Sequence, residues 1–155
     1  MGAYLLFGLA LAAFLLGLIS EDRTRNTVMR PDRISADLSG FVAYKTAVQA
    51  YVSVHPGTSG TIPLGSLSLT VSSTSVANMN NLVVRTSTGT QVQAWALNSV
   101  GGLPDALAAS ENDRAIGTST GGKWQTPTGG DMGPLAQAIP VGDVVSLVVF
   151  SGTGF

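Results

Sequence analysis

The chain has 155 residues, of which 45% are hydrophobic and only 11% charged, with a net charge of −1 and no cysteine. That length suits one domain with a short appendage. The absence of cysteine excludes disulfides, thiolate zinc sites and a cysteine nucleophile, and nothing basic beyond the arginines near residue 25 would meet a nucleic-acid backbone.

From Gly2 to Ile19 no side chain is charged. As a helix these residues would span roughly 27 Å, close to the thickness of a bilayer's hydrocarbon core. A cleavable secretory signal has a basic leader, a shorter apolar run and a small-x-small cut site. Here no Lys or Arg precedes the run, and Leu18 stands three residues before any cut after Ser20. The expectation is a retained transmembrane anchor over 1–20, in contact with membrane lipid. Gly8 with Ala12, and Ala13 with Gly17, place small residues four apart. Such residues are common in membrane helices, and they also allow close packing against a partner helix.

Arg23, Arg25, Arg30 and Arg33 follow the anchor and by the positive-inside rule pull the rest of the chain towards the cytoplasm. The few charges downstream, and the lack of cysteine, favour the opposite side. The expectation is a domain outside the cytoplasm.

Residues 21–33, "EDRTRNTVMRPDR", are polar and interrupted by Pro31, and read as a juxtamembrane linker or a frayed continuation of the anchor helix. The folded domain is expected over 34–155. It opens with a helix in which Leu38, Phe41, Val42, Tyr44, Ala47, Val48, Tyr51 and Val52 recur at three- and four-residue steps. Ser35 or Asp37 would cap its start, and Pro56-Gly57 stops it. With one apolar stripe it should pack on a sheet.

The remainder reads as strands and turns. "SLSLTV" alternates Leu67, Leu69 and Val71 with Ser and Thr, as a half-buried strand does. "NLVVRTSTGTQVQAWAL" reads as a hairpin about Thr88-Gly89, with Val92, Ala94 and Ala96 alternating against Gln91, Gln93 and Trp95. "LPDALAASEN" reads as a short helix with Pro104 in its first turn. "DRAIGTSTGGKWQTP" forms a second hairpin turning at Gly121-Gly122, and "PTGGDMGP" an irregular loop. A strand from Val144 to Phe150 follows the Gly142-Asp143 turn. The expected class is α+β: an N-terminal transmembrane helix, then an amphipathic helix on an antiparallel sheet of five or six strands, a pilin-like layout.

No catalytic constellation assembles from these residues. His55, the only histidine, stands at a helix end, where its ring can bond the last carbonyls. No second ligand is spaced to make it a metal site. Ser110, Glu111, Asp113 and Arg114 read as a solvated turn, and "TSTGGKW" lacks the spacing of a phosphate loop. Trp95 and Trp124 lie in neighbouring hairpins, where they pack on the sheet or anchor a partner. The expectation is a protein that is not an enzyme and has no metal, cofactor, small-molecule substrate or nucleic-acid partner.

The segments "FVAYKTAVQAYVSVHPGTSGTI", "GGKWQTP" and "PLAQAIPVGDVV" together resemble the PilM family of conjugative thin-pilus (type IVB pilus) systems. The resemblance spans the chain and is strongest at "YKTAVQAYVSVHPG" and "AIPVGDVV". It implies a bacterial inner-membrane, single-pass protein with a periplasmic domain. Its implied place is the pilin-transport apparatus or pilus basal body, with pilins or other machine proteins as partners. It carries over no ligand and no catalytic residue.

The general shape also makes a minor pilin or pseudopilin the alternative. A prepilin, however, has Glu at the fifth position after its cut. A cut after Gly2 would put Phe7 there, and a cut after Gly8 would put Ala13 there.

Overall fold

The fold, seen in a computed structural model, is described for residues 31–97 and 114–155. The chain divides into two compact units, Met1–Arg33 and Ile34–Phe155. The expected anchor with Gly8, Ala12, Ala13 and Gly17, the linker over 21–30 and the short helix over 103–112 lie outside the described residues. Among the described residues no helix is long and apolar enough to cross a membrane.

Among the described residues, the α-helix α1 (Pro31–Val54) packs on a sheet of six strands. It begins three residues before the expected domain start, so neither Ser35 nor Asp37 is its cap. Proline suits the first helical position, where its missing N–H has no intrahelical partner to lose. The predicted stripe is the packed one: Phe41, Tyr44, Ala47, Val48 and Val52 are buried, with Leu38, Val42 and Tyr51 half-buried beside them. Gly40 lies inside the helix at a close approach, because a Cβ there would sit 3.0 Å from the carbonyl oxygen of Ser75. The helix stops at His55, whose backbone N–H reaches the Tyr51 and Val52 carbonyls at 3.0 and 3.2 Å.

The strands are β1 (Met79–Thr86), β2 (Gly89–Ala96), β3 (Ile116–Ser119), β4 (Lys123–Thr126), β5 (Gly130–Pro134) and β6 (Val144–Phe150). They lie in the order β1-β2-β6-β3-β4-β5, with every neighbouring pair antiparallel. Both predicted hairpins form, and the last strand has the predicted bounds. The β1–β2 turn needs a glycine: a Cβ on Gly89 would lie 2.2 Å from the Phe150 carbonyl oxygen on β6.

Two expectations are corrected. "SLSLTV" is not a strand. Leu64–Ser66 form a 3-10 turn, and the alternating Leu67, Leu69 and Val71 lean on the core without a ladder. The edge of β1 has no room for that segment, because Gly60 already exchanges two hydrogen bonds with Val83, at 2.8 and 2.9 Å. Conversely, part of "PTGGDMGP" is a strand. β5 pairs with β4 across a bulge between Trp124 and Gln125, so the glycines and proline mark an irregular sheet edge rather than a loop.

Alternation along the strands gives the sheet two faces. Val83, Val92, Ala94, Ala96, Ile116 and Val144 face α1. Leu82, Trp95, Trp124, Val145 and Leu147 face the other way, where residues 135–142 cross as a strap and insert Ile139 among them.

Candidate partner surface

Two buried side-chain amides, one on each face of the sheet, hold irregular chain against it. Asn81 of β1 faces α1 and is 1% exposed. Its Oδ1 accepts from the Ile62 N–H at 2.8 Å, and its Nδ2 donates to the Ile62 carbonyl at 3.0 Å and to the Tyr44 hydroxyl at 2.7 Å. The amide thus imitates a strand neighbour for residue 62 and ties that segment to the helix. Burial pushes the Tyr44 phenol above its usual pKa, and the Asn81 hydrogen bond opposes this in part.

Gln93 of β2 points to the opposite face and is fully buried. Its Oε1 accepts from the Ala136 N–H at 3.0 Å, and its Nε2 donates to the Gln137 carbonyl at 3.1 Å. Ser119 adds to this by donating from Oγ to the Ile139 carbonyl at 2.9 Å. The Leu135 and Ile139 N–H groups bond to the carbonyls of Gly122 and Gly121, both at 2.9 Å. The strap is therefore fixed along its length, and its outward side chains, Ala136, Gln137, Ala138, Pro140 and Val141, are exposed. Val141 is 77% exposed. No residue from Met132 to Gly142 is charged.

The outer flank of α1 offers a second uncharged surface. An open groove of about 500 Å³ runs between the helix and residues 68–71, lined by Leu38, Val42, Ala43, Thr46 and Ala50 with Val71 opposite. It continues past Ala50 and Ser68 into a smaller hollow of about 290 Å³ that ends at Val54 and His55.

The sheet edges contribute less. The β1 edge is taken by Gly60, and Arg85 closes its end by donating to the carbonyls of Pro56 at 3.0 Å and Gly154 at 3.1 Å. The β5 edge is short, bulged and ends in Pro134, which are features that discourage strand addition. Lys123 and Asp131 pair across β4 and β5 at 2.8 Å. Asp131 is held below the usual carboxylate pKa by the Lys123 hydrogen bond first and the Gly133 N–H second. Lys123 is raised by the same bond to Asp131.

The expected site residues fall as follows. Trp95 and Trp124 come together, with Ile139 and Val145, at 5% and 4% exposure. The structure thus gives them the packing role, and the surface above them belongs to the strap. His55 stacks on Tyr51 with ring centroids 4.3 Å apart, its Nδ1 3.0 Å from the Tyr51 carbonyl oxygen, as the helix-end reading anticipates. The "TGGK" segment is the β3–β4 turn, with Gly121 at φ +103°. Ser110, Glu111 and Asp113 lie outside the described residues, and Arg114 is exposed. Among the described residues no three His, Asp or Glu gather as metal ligands.

Sequence reading missed Asn81, Gln93 and the strap. The available signal was Trp95: an indole on the Gln91–Gln93 face implies that something covers that face.

A model of the PilM family matches residues 9–147. A crystal structure of protein PilM from Escherichia coli B7A superimposes with a TM-score of 0.54 at 20% identity. The superposition covers 79% of this chain and 98% of that one, a likeness of fold. No curated protein matches the sequence.

Proposed function

The chain belongs to the PilM family, and from that premise we propose that it is a membrane-anchored structural component of a type IV, thin conjugative pilus machine or its basal body. The observation that carries this reading is the extent of the family match, which includes most of the apolar N-terminal run as well as the folded domain. The uncharged segment from Gly2 to Ile19 supports a single-pass anchor in the inner membrane. The α+β domain then stands on the periplasmic side and contacts pilin or other machine subunits through uncharged surface. Chemistry is no part of this role.

Three measurements test it. Carbonate washing should leave the full-length chain in the membrane fraction, and its release would end the anchored reading. A phosphatase fused to the C-terminus should be active, whereas fluorescence of a cytoplasm-only reporter there would reverse the topology. Alanine at His55, Glu111 or Asp113 should leave piliation intact, and loss of pili with normal folding would reinstate catalysis. The alternative that the pilin-like layout suggests is a minor pilin or pseudopilin incorporated into the filament. Intact-mass analysis decides between the two, because shortening at the N-terminus by prepilin peptidase supports the minor pilin.

A further inference from the structure

β6 comes last of the six strands in chain order and stands in the middle of the sheet. On one side it pairs with β2, from Thr90↔Phe150 to Trp95↔Val145. On the other it pairs with β3, from Ile116↔Ser146 to Thr118↔Val144. The β1–β2 hairpin and the β3–β4–β5 meander share no ladder among the described residues, so β6 joins them into one sheet. Without it the facing edges of β2 and β3 would be unpaired and about 10 Å apart, two strand spacings.

The core divides along the same line. In the cluster under the second half of α1, every buried residue lies between Tyr44 and Ala94, and Phe150 and Phe155 only lean on it, half-buried. The other two clusters include β6. Val144 groups Ala96 of β2 with Ile116 of β3 beneath Phe41, and Val145 groups Trp95 of β2 with Trp124 of β4. The strap spans the same division, held by Gln93 of β2 at Ala136 and Gln137 and by Ser119 of β3 at Ile139.

The two parts differ in what their assembly demands. β1 and β2 are joined by the short turn at Ser87-Thr88, and packing on a helix gives a hairpin the stability it lacks alone. Val145 must instead find Trp95 and Gly117, roughly fifty and thirty residues earlier, at an entropic cost that grows with the loop to be closed. Pairings of that kind form slowly.

We propose that β6 is the closing strand of this fold: α1, β1 and β2 assemble first with residues 60–76, and the strap and β6 then dock on the open edge of β2 and capture β3–β5. The last strand to be made thus completes the sheet. The domain stays open while residues 144–150 are still inside a ribosome or a membrane channel. The consequence for a channel rests on the periplasmic reading, and the order of assembly does not.

Two buried valines give a matched test, because Val83 of β1 is 1% exposed and Val145 of β6 0%. Refolding and unfolding of the full-length chain in urea are followed by tryptophan fluorescence. Val83→Ala should slow refolding several-fold, whereas Val145→Ala should leave refolding within about twofold and quicken unfolding about tenfold. Ile62→Val and Ile116→Val repeat the contrast more gently, should either alanine variant fail to fold. Equal slowing of refolding by the two members of a pair, or greater slowing by the β6 or β3 member, overturns the order. A second measurement arrests the full-length chain on ribosomes behind a C-terminal linker. With a short linker that keeps β6 in the tunnel, protease should cut within β3–β5, and with a long one it should leave α1 to β6 intact. Equal resistance of β3–β5 at both lengths would show that the sheet closes without its last strand.

Discussion

The two faces of the sheet are covered by different means. On one face α1 lays a stripe of apolar side chains over the strands, with Phe41, Val48 and Val52 fully buried. On the other, eight residues of irregular chain cross the sheet, and buried side chains of the sheet itself hold the backbone of that strap. The first cover is made by side chains contributed by the covering element. The second depends on polar groups contributed by the surface being covered. The helix cover should therefore fail with the whole fold, and the strap should be able to fail first, since its backbone is within reach of water once its amide partner is gone.

The largest effect should come from Phe41→Ala. It removes a fully buried ring between α1 and the strands and should cost about 4 kcal/mol. In urea, helix circular dichroism should then shift to a lower midpoint, with the fluorescence of Trp95 and Trp124, under the strap, changing at or before that midpoint. Tryptophan fluorescence changing only after the helix signal is lost would show that the strap is not the weaker cover.

Asn81→Ala comes next, at roughly 3 kcal/mol. It strands the buried N–H and carbonyl of Ile62 and removes the donor to Tyr44. Unfolding midpoints of Asn81→Ala and Tyr44→Phe locate this cost. Tyr44→Phe should lose only about 1 kcal/mol, because Asn81 keeps both bonds to Ile62.

Gln93→Ala tests the contrast most directly. Its partners, Ala136 and Gln137, are exposed, so water can replace the lost bonds and the global cost should be about 1 kcal/mol. Locally the effect should be larger. Hydrogen exchange over 135–139 should quicken by tenfold or more while α1 is unchanged, and the tryptophan emission should move to the red. Equal quickening in α1 would mean that the strap has no independent opening.

The same contrast explains what was legible. The helix stripe, both hairpins and the final strand show in the sequence because periodicity records a side chain's repeated choice between core and water. The strap does not show, since "LAQAIPVG" has neither period and is placed by Gln93 and Ser119, forty-odd and twenty residues earlier. "SLSLTV" has a strand's pattern without a strand, because alternation requires only an extended segment with one side against the core. Gly60 occupies the edge it would need. The helix's outer flank misleads in another way: Ala43, Ala50 and Val54 blur the boundary of the stripe, and that same blurring leaves the groove apolar.

The smallest effect belongs to the Lys123–Asp131 pair, which ties the strap's entry strand to β4. Asp131 has a depressed pKa in the folded chain, so its contribution is present at neutral pH and is lost as pH falls through that depressed value. Lys123 has a raised pKa, so its share is complete below the ordinary lysine value and disappears as pH rises through the raised one. Both groups are open to solvent, which screens the attraction, so global midpoints should barely move in Asp131→Asn. What should change is exchange at Gly133, whose N–H also loses strength in its 2.9 Å bond to Asp131 Oδ1 when the carboxylate becomes an amide. In the unmodified chain that exchange, corrected for its intrinsic pH dependence, should quicken at acid pH, while in Asp131→Asn it should be fast throughout. A strap that exchanges slowly in both chains would show that Gln93 and Ser119 hold it without help from β5.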